Sequence, residues 1–307
     1  MGESKKHHII PQCYLSNFSC DGKAIWVYNK KERKSYLTSV DKIFQRKHWY
    51  RIPDELISEQ DKNKINPLSI EKDFFADLVE SQFNHYLKSI VSNIDELLQN
   101  ESNFQNYNCR LHEDYVDEFS MQIAIQFFRT PKARQEVMSI ISDIAEKFQM
   151  ADSKYKDNEI IADLNKPHTQ NPTIAHFWTI FANDKFIPGI TEILKNKIWL
   201  TCVSPNAPFY TSDSPIIVEN LYNTPNDIDI SLNRIGSIIT YPLTSKILFK
   251  LLDREYYADM ADEDRSIILV NDEYVKKENM RQFSHAKNEI VSPVNNFAVY
   301  IRYGEKN

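Results

Sequence analysis

Glycine is scarce in this chain: it contributes 5 of 307 residues, where average usage of about 7% would supply roughly 21. The five stand at Gly2, Gly22, Gly189, Gly236 and Gly304. They are too far apart for a loop that cradles phosphate with backbone N–H groups, of either the dinucleotide or the P-loop kind. Nucleotide folds built on glycine are therefore excluded. Cysteine is sparser still, and Cys13, Cys20, Cys109 and Cys202 are too scattered for a zinc ribbon and too few for a disulfide framework. Reduced thiols are expected. No apolar run approaches the ~18 residues of a membrane span, and the first eight residues are polar and basic, without the apolar stretch of a signal peptide. The expectation is a cytoplasmic protein with no membrane partner. Also missing are a Gly-x-Ser-x-Gly elbow, a His-Glu-x-x-His pair and a zinc-deaminase cysteine pair. No feature indicates nicotinamide, flavin or haem.

What is present describes a globular chain: 42% hydrophobic and 26% charged residues, with 43 acidic against 37 basic for a net charge of −6. Seventeen Phe, 16 Tyr and 4 Trp bring ample area for a core. Strands are expected at 24–28 and 35–40, joined by a charged hairpin tip, with a surface loop over 54–67. From Ser69 to about Asn100, Ile70, Phe74, Leu78, Val79, Phe83, Leu87 and Ile90 recur at three and four, the pattern of one long amphipathic helix. A second helix is expected from Glu113 to Arg129. Thr130-Pro131 then breaks the chain, since Thr caps and Pro opens the next helix, from Pro131 to about Met150. A polar stretch to Pro172 and further helix to Asn196 follow. Beyond it, short apolar runs at 198–203, 209–211, 215–218, 237–241 and 246–252 read as an antiparallel sheet. A helix over 273–286 and a last strand over 297–302 end the pattern. The reading is one α+β domain over 1–307, with an N-terminal hairpin, a helical section at about 69–196 and a β-rich, mainly antiparallel section at about 197–302.

Four constellations carry polar chemistry. His7 and His8 precede Ile-Ile-Pro, as the first His of a ββα-metal nuclease does, but Asn29 and His48 stand too far along the chain to complete that motif. Gln122, Gln126 and Arg129 share one face of a helix that is otherwise apolar nearly all round. Burying a guanidinium and two carboxamides there requires partners, either a bound anion with Arg134 nearby or an internal carboxylate. Asp213, within Thr211-Ser212-Asp213-Ser214-Pro215, suits a metal ligand or general base, and equally an Asx-turn. Glu71 lies on the apolar side of the long helix. Nine residues at about 100° each place Glu80 about 180° from it, so the two should not share a site.

Taken in order, the segments His8-Ile9-Ile10-Pro11-Gln12-Cys13-Tyr14-Leu15-Ser16-Asn17-Phe18, the helix bearing Glu71 and Glu80, Gln126 to Arg134, Thr211 to Pro215, and Tyr241-Pro242-Leu243-Thr244 resemble the bacterial domain-of-unknown-function family numbered forty-two thirty-eight. The resemblance runs from about Lys6 to Arg302. It implies that His8, Glu80, Arg129 and Asp213 are the polar positions of interest, while Pro11, Tyr14, Leu15, Phe18, Pro131 and Pro215 serve packing.

These residue types suit a metal-dependent hydrolase of phosphodiesters or nucleotides, such as a nuclease-type effector in phage defence. His8, Asp213 and Arg129 are then the catalytic candidates, with Glu80, Asp213 and His8 around a Mg²⁺ or Mn²⁺ ion and Arg134, Gln126 and Gln12 on the substrate. Lys5, Lys6, Lys30, Lys31, Arg33, Lys34, Arg46 and Lys47, with Trp26, Trp49 and Tyr50 among them, offer a local nucleic-acid surface. They equally suit a solvated hairpin. The alternative to an enzyme is a sensor or adaptor, engaging an anionic ligand or a protein partner such as a phage component through an arginine-lined pocket.

Overall fold

The computed structural model of the protein describes residues 6–61, 64–99, 109–150, 166–220 and 231–304. Lys5 and the polar stretch over 151–165 lie outside the described residues. The class is α+β. Strand β1 (Lys6–His8) and β4 (Gln45–Lys47) form an antiparallel ribbon with His8 opposite Gln45. The short helix α1 (Gln12–Leu15) follows β1 and places Tyr14, Leu15 and Phe18 in the core with no exposed surface. The expected hairpin forms from β2 (Ala24–Asn29) and β3 (Lys34–Ser39). It does not stand alone: β2 pairs with β11 (Glu289–Ser292), which pairs in turn with β6 (Thr211–Ser212), so a four-stranded antiparallel sheet joins both ends of the chain.

A second sheet has the order β10-β5-β9-β8-β7, formed by Ser266–Leu269, Ile198–Val203, Ile247–Leu252, Ile238–Pro242 and Ile217–Glu219. It is antiparallel except at its edge, where β10 runs parallel to β5. All six residues of β5 are buried. Sequence reading missed β10 and β11, which are short and lack clear alternation. It also placed a strand at 297–302, where the chain instead forms a helix over Ala298–Gly304. The reason is spacing, because the Tyr300 and Ile301 N–H groups both donate to the Phe297 carbonyl and Phe297 and Tyr300 are both buried, as a helical three-residue step requires.

The helical section packs on the second sheet through Phe119, whose ring lies 5.0 Å from that of Phe249. Helix α3 spans Glu113–Phe128 and α4 Pro131–Met150. Between them Thr130 Oγ1 donates to the Phe127 carbonyl and accepts from the Ala133 N–H, closing one helix and capping the next. The long helix is present but wound differently from expectation. Its first part, Ile70–Glu80, is π-helical, and α2 (Ser81–Gln99) continues it with ordinary pitch. Bonding from i to i+5 lowers the turn per residue from 100° to roughly 80°. The inward positions become Ile70, Phe75 and Val79, all buried, while Leu78 is rotated out and 59% exposed.

The two registers make opposite predictions at two residues. Phe75→Ala is expected to cost about 3–5 kcal/mol and Leu78→Ala less than about 1 kcal/mol, measured by urea denaturation. A larger loss at Leu78 than at Phe75 would restore the α-helical register.

Candidate functional site

The question raised by Arg129 on an apolar helix has an internal answer. Arg129 is 1% exposed. Its Nη1 donates to Glu80 Oε1 at 2.7 Å, its Nη2 to the His8 carbonyl at 2.8 Å and its Nε to the Tyr50 hydroxyl at 2.9 Å. The guanidinium also lies 4.1 Å from the centre of the Phe75 ring. Burial opposes the charge, but Tyr50, Glu80 and Glu71 outweigh it and raise the pKa. The two glutamines behave alike: Gln126 Nε2 donates to the Ile9 carbonyl at 3.4 Å, and Gln122 Nε2 to Glu118 Oε1 at 2.9 Å. Arg129 and Gln126 thus hold the two peptide carbonyls on either side of the Ile9 Cα.

The π-helical winding explains how Glu71 and Glu80 both come to face this guanidinium. Nine steps of roughly 80° make two full turns, so residues half a turn apart on an α-helix share a side here. The sequence-based separation of the two carboxylates is thereby corrected. Glu71 accepts the His8 N–H and is pushed up to about 7, by burial first and by Glu80 in addition, against the opposing pull of Arg129. Its Oε2 is buried without a partner.

The remaining candidates fall into separate environments. The His8 ring is half-buried, with the amide nitrogens of Gln12 and Gln45 each 3.0 Å from its Nε2, and burial lowers its pKa. His7 is buried against Tyr50, whose N–H donates to its Nδ1 at 2.9 Å, and desolvation brings it down to about 4. Arg134 stacks 3.6 Å from the centre of the Trp49 ring and donates to the Trp49 carbonyl at 2.9 Å. It is buried, and its Nη2 has no hydrogen-bond partner among the described residues. Asp213 lies elsewhere: its carboxylate accepts the backbone N–H groups of Lys287, Asn288 and Glu289 at 2.9, 2.7 and 3.3 Å. These bonds fix the connection between the helix Asp272–His285 and β11. The structure therefore brings His8, Glu80 and Arg129 together and gives Asp213 a different set of partners. Among the described residues no group of three or more His, Cys, Asp or Glu is arranged to hold a metal ion, so the set Glu80, Asp213 and His8 is not assembled as one.

Three of the five motif segments nevertheless meet, at a groove of about 600 Å³. Ile9 and Ile10 come from the first motif, Gln126, Thr130, Pro131 and Lys132 from the third, and Asp213, Ser214 and Pro215 from the fourth. Lys42 to Arg46 line it beside the first motif, the Ile9 N–H donating to the Phe44 carbonyl at 3.0 Å, and Lys287 and His285 line it as well. Two non-glycine residues with positive φ bracket β4, Phe44 at 51° and His48 at 52°. Holding them there costs of order 1 kcal/mol each, the kind of strain that accumulates at binding sites. Of the expected substrate residues, Gln126 lines the groove. Lys42 and Lys287 were missed because nothing in their local sequence marks them. Arg46 was noticed only as part of a basic run.

Two predictions follow from the buried cluster. Glu80→Ala leaves Arg129 without its bonded carboxylate and is expected to cost about 3–5 kcal/mol, read from the urea midpoint. For Glu71 the folded pKa of about 7 stands above the ordinary 4.5, so the folded state holds its proton more tightly than the unfolded chain. Its contribution is complete below pH 4.5 and is lost as pH rises to about 7, by at most about 3 kcal/mol. Glu71→Gln keeps the neutral form and should remove that decline; a variant whose stability falls as steeply as the wild type between these pH values contradicts the assignment.

Comparison with curated proteins and with solved structures returns no significant match. A family model, in contrast, covers nearly the whole chain, including all five motif segments and the lining of the groove. With residues 6–293 matched by the model described as "Protein of unknown function (DUF4238)", the chain belongs to that family.

Proposed function

We propose that the chain is a sensor or adaptor that binds a phosphate-bearing anion, a nucleotide or a nucleic-acid end, in the groove where three of the motif segments meet. The observation that carries this reading is the balance of charge there. Each of its three carboxylates is engaged: Asp213 by three backbone N–H groups, Glu289 by the Tyr36 hydroxyl at 2.9 Å, and Glu136 by Lys132 at 3.6 Å. Lys42, Arg46 and Lys287 line the same groove and form no ion pair among the described residues. The four cations that line the groove, Lys42, Arg46, Lys132 and Lys287, outnumber its three carboxylates by one, in a concavity that reduces solvent screening. Gln126, buried in its floor, contributes a fixed carboxamide.

In this reading Arg129 acts from behind the site. It holds His8 and Ile9 in place by the bonds already described, and does not touch the ligand. The expected hydrolase is the competing reading, and catalysis separates the two. Isothermal titration with pyrophosphate, ATP and a short single-stranded oligonucleotide, each with and without Mg²⁺ or Mn²⁺, should give binding without turnover. The triple variant Lys42→Ala, Arg46→Ala, Lys287→Ala should weaken that binding at least tenfold, about 1.4 kcal/mol, and flatten its salt dependence. Product formation from any of the three probes would replace the sensor by a hydrolase. Unchanged affinity in the triple variant would move the site away from this groove.

A further inference from the structure

A second cavity, different in character from the groove, is lined in part by the π-helical segment Ile70–Glu80. Its volume is about 910 Å³, within the range of small-molecule sites. The lining is almost wholly apolar, with Ile52, Ile57 and Ile141 on the walls and Phe74, Phe177 and Trp178 forming an aromatic side. Phe74 and Phe177 meet edge to face, with centroids 5.2 Å apart at 87°. Trp178 and Ile65, both in the lining, are 64% and 40% exposed, so the cavity presents more than one apolar side chain to solvent. Asp73 is the one charged group among the described residues that line the cavity, and it forms no ion pair among them.

A separate observation singles out the same place. Both π-helical segments described in the chain, Ile70–Glu80 and Phe177–Phe181, contribute to its wall. Such winding is rare and concentrates at functional sites, because it redirects side chains that an α-helix would align differently. In the first segment the widened turn sends Glu71 and Glu80 toward Arg129 and leaves Ile70, Asp73 and Phe74 for the cavity.

We propose that this cavity binds an amphiphile with an apolar body and a single cationic head, of the alkylammonium class. The aliphatic walls take the chain by exclusion of water. Asp73 and the exposed face of Trp178 take the head, by charge and by the cation–π attraction that favours quaternary and alkyl ammonium groups. An anionic amphiphile of equal length meets the Asp73 carboxylate, which has no ion pair among the described residues, and is disfavoured. This selection is opposite in sign to that of the groove, so the two sites do not compete for one ligand, and failure of either leaves the other standing.

The test is tryptophan-fluorescence titration of the full chain with dodecyltrimethylammonium and with dodecanoate, both kept below micelle formation, with circular dichroism monitoring the fold. The cationic probe is expected to bind at one site per chain, at least tenfold more tightly than the anionic one. Asp73 is exposed, so Asp73→Asn should fold normally while bringing the two probes within about threefold of each other. Trp178→Ala removes the fluorophore in the lining, so it is read by isothermal titration, and it should weaken the cationic probe at least fivefold. Equal binding of both probes to the wild type, an unchanged preference in Asp73→Asn, or no saturable binding of the cation would each overturn the proposal.

Discussion

The structure depends on the burial of one guanidinium. A cation with 1% of its surface exposed is tolerable only if its donors are satisfied at short range, because desolvation of an unpaired charge exceeds the stability of most domains. Arg129 meets this condition with three partners from three regions: a carboxylate on the π-helical segment, a hydroxyl in the loop after β4 and a backbone carbonyl at the end of β1. The planar fork that can reach all three is particular to arginine, since a lysine ammonium presents its donors from one point. Through this residue α3, β1 and the start of the long helix are held in one arrangement.

A second node does the same for the β-rich section. The Tyr14 hydroxyl donates to the Pro242 carbonyl at 2.6 Å and lies 2.7 Å from Thr211 Oγ1, while its ring stacks on Tyr241 at 5.3 Å. Between them Arg129 and Tyr14 touch all five motif segments: the first, second and third at Arg129, and the first, fourth and fifth at Tyr14. The motifs are therefore largely the framework that brings two sheets and a helical layer together. A residue type suited to catalysis was in these cases recruited for attachment. The surface left between attached segments is the groove, lined by Gln126, Lys132 and Asp213 from the motifs and by Lys42, Arg46 and Lys287 from outside them.

Much of this fold was legible in the sequence, and the exceptions share a physical cause. Helices α3 and α4, the Thr130-Pro131 break and the buried strand β5 stood out because periodicity and capping are local signals. The need for partners around Arg129 was equally legible, since the cost of an unsatisfied guanidinium is independent of fold. Their identity was not: Tyr50 and the His8 carbonyl come from segments whose proximity is set by long-range packing. The winding of Ile70–Glu80 was invisible because Ile70, Phe74 and Leu78 fit an α-helical face as well as Ile70, Phe75 and Val79 fit a wider one, and the choice is made by what the carboxylates must reach. Asp213 illustrates the same limit. Its flanking hydroxyls announced a constrained carboxylate, but its three N–H partners lie more than 70 residues away.

The scarcity of glycine acquires a structural meaning at this point. With few residues that enter the left-handed region freely, the chain places Arg33, Phe44, His48 and Arg265 there, accepting strain in exchange for side chains at the turns. Around β4 this exchange has a definite product: a glycine at 44 or 48 would relax the backbone but remove an apolar or basic side chain beside Arg46 and would loosen the strand that pairs with β1. A phosphate held by backbone N–H groups needs glycine for close approach, whereas one held by side chains needs their Cα positions fixed. Under the proposed function, the few glycines, the strained ribbon and the cations of the groove are one solution, in which recognition of an anion falls to side chains and the backbone is made rigid enough to present them.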